Sequence, residues 1–186
     1  SWPVVGQMVE LMTKSAAEGN LIPGSFGHHL LEAHKAGAIT FDAAVGLLMG
    51  YVVAAFDTTI NAISSAAVLL ARNPRQWQAL RARPDLASNA FNEVIRLESP
   101  IQYFTRVTTR DADLGEGVVI PMGARVLVSY GSANRDERRF ERADEFDISR
   151  PLVPHLAFSA GKHSCAGQNL ARLEGQAILR ALATSV

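Results

Sequence analysis

Between Thr40 and the Asn73-Pro74 break the chain carries one continuous helical pattern, and no other feature restricts its fold so strongly. Thr40 is a suitable N-cap, while Asn73-Pro74 stops this helix and opens the next. At about 1.5 Å per residue the helix spans roughly 50 Å, enough to cross a whole domain. Its stretch from Ala43 to Phe56, AAVGLLMGYVVAAF, holds no charge. A membrane span takes about 20 such residues, and Asp57 interrupts this run too early. The expectation is therefore a helix buried on most faces at the centre of a soluble protein, with no membrane segment.

Shorter elements surround it. An amphipathic stretch begins at Pro3 and ends near Gly19, and a second helix runs from Ser25 to Lys35 before Gly37 stops it. Helical patterns continue over Pro74–Arg83 and Leu86–Leu97, until Ser99-Pro100 breaks the run. The texture then turns β-like at Gln102–Thr108, Gly117–Ile120 and Arg125–Tyr130, with Pro121-Met122-Gly123 as a turn joining the last two. Asn134 to Arg150 is charged and irregular, and the helical pattern returns at Gln168. The fold class read from this is mainly α with a small β component.

Composition removes some functions. Eighteen Lys and Arg balance eighteen Asp and Glu in 186 residues, so no basic field attracts nucleic acid or anionic lipid. A single cysteine excludes an intrachain disulfide framework and suits a reducing, cytoplasmic compartment. The chain opens inside a helix-like pattern without an initiator Met and stops within an alanine-rich apolar segment. It reads as part of a longer protein, with any upstream targeting segment out of view.

Three places hold residues suited to chemistry. In the long helix, Asp57 and Thr58 set an acid beside an alcohol within an apolar run, an arrangement able to relay protons into a dry pocket. Thr58 lies one turn after Ala54, whose carbonyl its hydroxyl can reach, and the small Ala54 and Ala55 leave room for a ligand. The bland alternative is a polar helix side facing solvent. Glu93 and Arg96 are three apart and share one helical face among apolar neighbours, with Arg150 a candidate third member. The bland alternative there is a surface ion pair.

The third place is FSAGKHSCAG, residues 158–167, which contains the single thiol. Gly161 and Gly167 permit unusual backbone or close approach, and Ala166 is small. A helical pattern follows at once, so backbone amides favour the thiolate of Cys165. An inert core cysteine is one reading. A nucleophile with His163 as base is another, and zinc lacks further ligands. An axial ligand to haem iron fits best, since the porphyrin supplies the other four donors.

Together these residues resemble the cytochrome P-450 superfamily of haem-thiolate monooxygenases, across essentially the whole chain. Phe158-x-x-Gly161-x-His163-x-Cys165-x-Gly167 matches its haem-binding signature at each defining position. Glu93-x-x-Arg96 resembles its helix pair, and Ala54-Ala55-Phe56-Asp57-Thr58 its oxygen-activation motif, with Ala55 where glycine is usual. The resemblance implies the C-terminal part (residues 1–186) of a single P-450 domain, lacking its N-terminal part and extreme C-terminus. It implies haem b held by Cys165, with Phe158 beside the sulfur, Gly161 and Gly167 shaping the loop, and Ala54 near the cofactor. Arg106 and His163 are implied donors to the haem propionates, and Glu93, Arg96 and Arg150 an architectural cluster. Asp57 and Thr58 are the implied proton-delivery residues. Phe56, Tyr103 and Phe104 are candidates to line a pocket for a small organic substrate oxidised with O2. The soluble bacterial style of the chain implies a ferredoxin and its reductase as partners, with Lys162 and Arg172 as candidate docking cations. A non-catalytic haem-binding relative, and an isomerase or peroxide-driven enzyme without an electron partner, are the competing functions.

Overall fold

The computed structural model describes residues 2–185, with side chains from residue 6 onward; Ser1 and Val186, the ends of the expected domain, lie outside the described residues. Seven α-helices and four short strands are found: α1 Trp2–Ala17, α2 Phe26–Lys35, α3 Phe41–Arg72, α4 Pro74–Ala82, α5 Ala87–Glu98, β1 Tyr103–Val107, β2 Ala112–Asp113, β3 Val119–Ile120, β4 Arg125–Ser129, α6 Tyr130–Ala133 and α7 Gln168–Ser185.

Local chemistry sets the boundaries. Ser25 accepts a hydrogen bond from His28 N at 3.2 Å and Thr40 Oγ1 accepts one from Ala43 N at 3.1 Å, each using an amide that the first helical turn leaves unpaired. Gly37, at φ +75°, ends α2, and Pro74 occupies the first turn of α4. Ser99 ends α5 in the left-handed region at φ 42°.

Two units divide the chain between Asp57 and Thr58. In the first, Ala16 of α1, Leu31 of α2 and Val45 of α3 form a small core with Leu21 and Phe41. In the second, Ala62, Ala66 and Leu70 of α3 pack with Leu80, Ala90, Phe91, Val94, Ile95 and Leu179. Most of the strength of this core lies where α5 runs along α7. There Gly175 of α7 lets the Phe91 ring lie against the helix backbone.

Two sequence expectations change here. The long helix is not buried on most faces: its most apolar 18-residue window is 17% buried, and Leu47, Val53, Phe56 and Ile60 are all exposed. By length and composition α3 could cross a membrane. Its neighbours in each unit cover only one stripe, the small residues Ala44, Ala62 and Ala66 among them. Nor do the last two strands pair with each other. β1 pairs antiparallel with β4, Arg106 opposite Val126, and β2 pairs with β3 inside that loop. Thr108 and Asp111 are responsible: Thr108 Oγ1 donates to Pro121 O at 2.6 Å and Asp111 Oδ1 accepts from Met122 N at 2.7 Å. They capture the Pro121–Gly123 turn and swing β4 onto β1. Between Ala133 and Gly161 no helix or strand occurs among the described residues, yet Phe140, Ala143, Phe146 and Ile148 are buried there.

Candidate functional site

The amphipathic pattern of α5 turns Glu93 and Arg96 into the core, at 4% and 2% exposure. They meet as a double bond: Arg96 Nε to Glu93 Oε2 at 2.7 Å and Nη2 to Oε1 at 2.8 Å. Arg96 Nη1 donates to Asn134 O at 2.7 Å and Ala143 O at 2.8 Å, and Nη2 also reaches Glu145 O at 3.4 Å. All five guanidinium N–H groups are thereby used, which a buried arginine needs. Phe140 lies below the guanidinium plane, its ring centre 5.1 Å from Cζ. Arg150 joins from the irregular segment, donating to Glu93 Oε1 at 3.0 Å and to the carbonyls of Glu141, Arg142 and Glu145. The structure thus brings Glu93, Arg96 and Arg150 together, and two guanidinium groups share one carboxylate.

The cysteine loop is built from backbone bonds. Ser159 and Gly161 take φ of +60° and +69°, and a 3-10 turn follows over Gly161–His163. Ser164 N and Oγ both bond Gly161 O, at 3.1 and 2.8 Å, and Cys165 N donates to Phe158 O at 2.9 Å. The amide of Cys165 is spent on the loop while its side chain is exposed, directly before α7. A side chain at Gly161 or Gly167 would enter open space; at Gly167 only the Cys165 sulfur comes as near as 4.0 Å.

Neighbouring elements brace this loop. Tyr130, buried at the start of α6, bonds Ser159 Oγ through its hydroxyl at 3.1 Å. Phe104 of β1 packs edge-on to Tyr130 at 6.1 Å, and the Arg106 guanidinium lies 5.5 Å from the Phe104 ring centre. Arg106 and Phe104 therefore share one face of β1, on the side that reaches the loop through Tyr130. Tyr103, one residue along the strand, faces the other way and shares no wall with Phe104. His163 and Lys162 are exposed in the 3-10 turn. Arg172, expected as a docking cation, turns inward instead: it bonds Asn92 Oδ1 at 3.1 Å and Gln168 Oε1 at 2.9 Å and covers the Phe158 ring at 4.5 Å. Burial lowers its pKa, with the charge of Cys165 acting in the opposite direction. On α3, Ala54, Phe56 and Asp57 are exposed and Thr58 is half-buried.

Sequence reasoning missed four buried or half-buried residues around these groups: Ser99, Tyr130, Asn134 and His155. Asn134 accepts Arg96 on its backbone oxygen, donates through Nδ2 to Ser99 Oγ at 2.8 Å and accepts Leu156 N on Oδ1 at 2.7 Å. His155 accepts Ala157 N on Nδ1 at 3.2 Å and packs on Phe158. Its pKa falls from the usual 6.5 to about 4, because burial and then the nearby Arg172 and Arg96 oppose a charge there. Only their polar type marked them in the sequence.

A family model described as Cytochrome P450 matches residues 4–183. The chain belongs to the cytochrome P-450 family. It is 47% identical over 167 residues to CYP199A2 of Rhodopseudomonas palustris, covering 90% of this chain and 40% of that protein. It is 38% identical to linalool 8-monooxygenase of Pseudomonas putida over 142 residues, which is 76% of this chain and 35% of the relative. Among solved structures, CalO2 superposes with a TM-score of 0.88 at 31% identity, over 96% of this chain and 45% of that one. The P-450 named CREJ, in complex with (4-ethylphenyl) dihydrogen phosphate, gives 0.85 at 35% identity over 94% and 44%. The chain therefore spans less than half the length of these relatives, and its mostly helical architecture with small sheets is that of the P-450 fold.

The cysteine loop fits the haem that P-450 membership implies. Cysteine is ordinarily among the most buried residues, yet this thiol is exposed and its flanking glycines open onto space. A haem needs a single protein ligand, which matches one exposed thiol with no cluster of three or more metal-binding side chains among the described residues.

Proposed function

We propose that the protein to which this chain belongs is a haem-thiolate monooxygenase, inserting one oxygen atom of O2 into a small organic substrate by hydroxylation or oxidative dealkylation. A ferredoxin and its reductase supply the electrons, in the cytoplasm. The observation that carries this reading is the lone thiol of Cys165, exposed at the head of an 18-residue helix in a loop braced by backbone bonds.

Bound haem b supplies a redox-active iron for activating O2. The chain's own residues do the rest. Cys165 provides the thiolate, favoured by the amide end of α7. Phe158 covers the loop beside it, and Gly161 and Gly167 keep the approach clear. Arg106 and His163 are cations suited to the cofactor's carboxylates. Asp57, exposed, takes protons from water, and the Thr58 hydroxyl passes them inward. Glu93, Arg96 and Arg150 hold the scaffold.

Two relatives are named for oxygenation, linalool 8-monooxygenase and beta-dihydromenaquinone-9 omega-hydroxylase, which supports hydroxylation. The small aromatic molecule bound to CREJ supports a substrate of similar size, with Phe56 and Phe104 as pocket residues. The test uses the full-length haem-loaded protein with ferredoxin, reductase and isotopically labelled O2. One labelled oxygen atom per product is expected, and Thr58→Ala should divert electrons into peroxide. Turnover without electron delivery, or unchanged coupling in Thr58→Ala, would overturn the reading.

A further inference from the structure

We propose that Asn134 is a positioning residue that transmits the geometry of the buried Glu93–Arg96 pair to the cysteine loop through the Leu156 amide. The inference rests on the haem-thiolate reading of Cys165. Asn134 is 1% exposed, and each of its four hydrogen-bonding groups has a different partner. Its amide donates to Tyr130 O at 2.9 Å and its carbonyl accepts Arg96 Nη1 at 2.7 Å. Its Nδ2 donates to Ser99 Oγ at 2.8 Å, and Ser99 Oγ in turn donates to Arg96 O at 3.1 Å. Its Oδ1 accepts Leu156 N at 2.7 Å. Three of the four bonds tie Asn134 to α5 or α6, which leaves Oδ1 as its outward hold.

That hold falls at the start of the loop. Leu156 O accepts Ser159 N at 2.8 Å, which closes the turn that sets Ser159 in its left-handed conformation. Phe158, inside this turn, offers the carbonyl that accepts Cys165 N. The path from Arg96 to the thiol thus consists of Asn134, one turn and one backbone bond. Nothing in it is free to slide, because each member is fixed by a second partner. Ala157 N is pinned to His155 Nδ1, and Ser159 Oγ to Tyr130. The amide of Leu156 has only Asn134 for an acceptor of this kind, and removing a buried donor's acceptor is the costly half of a hydrogen bond.

The test compares Asn134→Leu, which removes both side-chain bonds, with Asn134→Asp, which keeps an oxygen for Leu156, and Ser99→Ala, which removes only the Nδ2 partner. All are made in the full-length haem-loaded protein. Two readouts are taken: hydrogen exchange of the Leu156 and Cys165 amides, and the ratio of thiolate-type to neutral-thiol Soret bands in the reduced carbon monoxide complex. In Asn134→Leu both amides should exchange at least about tenfold faster, the equivalent of about 1.4 kcal/mol, and the thiolate band should lose intensity to the neutral-thiol band. Asn134→Asp and Ser99→Ala should stay within about threefold of the parent and keep the thiolate band. Exchange that rises equally throughout α5 and α7, or does not change at Leu156, overturns the proposal. Should Asn134→Leu fail to fold, fast Leu156 exchange in Asn134→Asp overturns it and retained protection supports it. A parent protein that binds haem without any thiolate-type band refutes the haem-thiolate reading instead, while leaving the exchange comparison to judge the mechanical link.

Discussion

Replacing Gly175 by Ala tests the contact on which the main core depends. A β-carbon at this position would lie 2.2 Å from Phe91 Cε2 and 2.3 Å from Cδ2 and Cζ, whereas ordinary contact begins at 3.4 Å. Phe91 is 1% exposed and enclosed by the core, so its ring has no empty side to swing into. Relief requires α5 and α7 to part by more than an ångström, loosening every apolar pair along their crossing. In an open helix interior the same exchange would stabilise by about 1 kcal/mol, since alanine is the better helix former. Overpacking of a filled core costs about 1–3 kcal/mol, and more when two helices must move together. The expected net loss is about 1–2 kcal/mol, read from urea unfolding of the full-length protein. A Phe91→Leu background, with a smaller side chain facing Gly175, should cut the cost of Gly175→Ala by at least about 1 kcal/mol. A Gly175→Ala protein as stable as its parent, or an equal loss in both backgrounds, would show that the Phe91 contact does not limit this crossing.

Other outcomes can be stated briefly. His155 has a native pKa of about 4 against a usual 6.5, so the unfolded chain binds its proton first as pH falls. Its contribution is complete above pH 6.5 and is lost on acidification towards 4, amounting to about 2 kcal/mol between pH 7 and 5. His155→Asn, which retains an acceptor for Ala157 N, should flatten that part of the stability profile; an unaltered slope would count against it. Arg96→Lys offers three donors to five acceptors and should cost about 3 kcal/mol or more in thermal or urea unfolding. Ser159→Gly relieves the left-handed backbone while losing the Tyr130 bond and should stay within about 1 kcal/mol of the parent. Ser159→Ala loses the bond and keeps the strain, so it should unfold first; the reverse order would refute the role given to φ at Ser159.

The helix boundaries were legible because they rest on local chemistry. Ser25, Thr40 and Asn73-Pro74 act within three or four residues of themselves, and the i, i+3 spacing of Glu93 and Arg96 identified one buried face. Arg150 was legible as a type of partner because a buried carboxylate beside a single guanidinium invites a second. Asn134, Ser99 and Tyr130 were not legible, since each acts across 22 to 35 residues and nothing in a window around them records the partner. Strand pairing failed for a similar reason. The turn at Pro121–Gly123 is locally a good hairpin turn, and only the distant Thr108 and Asp111 redirect it. The long helix was misread in its surroundings and not in its form: apolar content reports what a helix can bury, and the described neighbours cover a fraction of it.

Long-range bonding around Glu93 also has a consequence for timing. Glu93 meets Asp147 and Arg150 across 54 and 57 residues, Arg96 meets Ala143 across 47, and Asn134 meets Leu156 across 22. Each closure costs chain entropy before its bond returns anything, so contacts of this span form late. α5 can be helical early, yet it has nothing to grip until the irregular segment from 134 to 150 has wrapped around it. Only then does Leu156 find its acceptor and the loop around Cys165 take its shape. A thiol presented this way works as a clock: the chain is ready to take a ligand there only when most of its folding is already done.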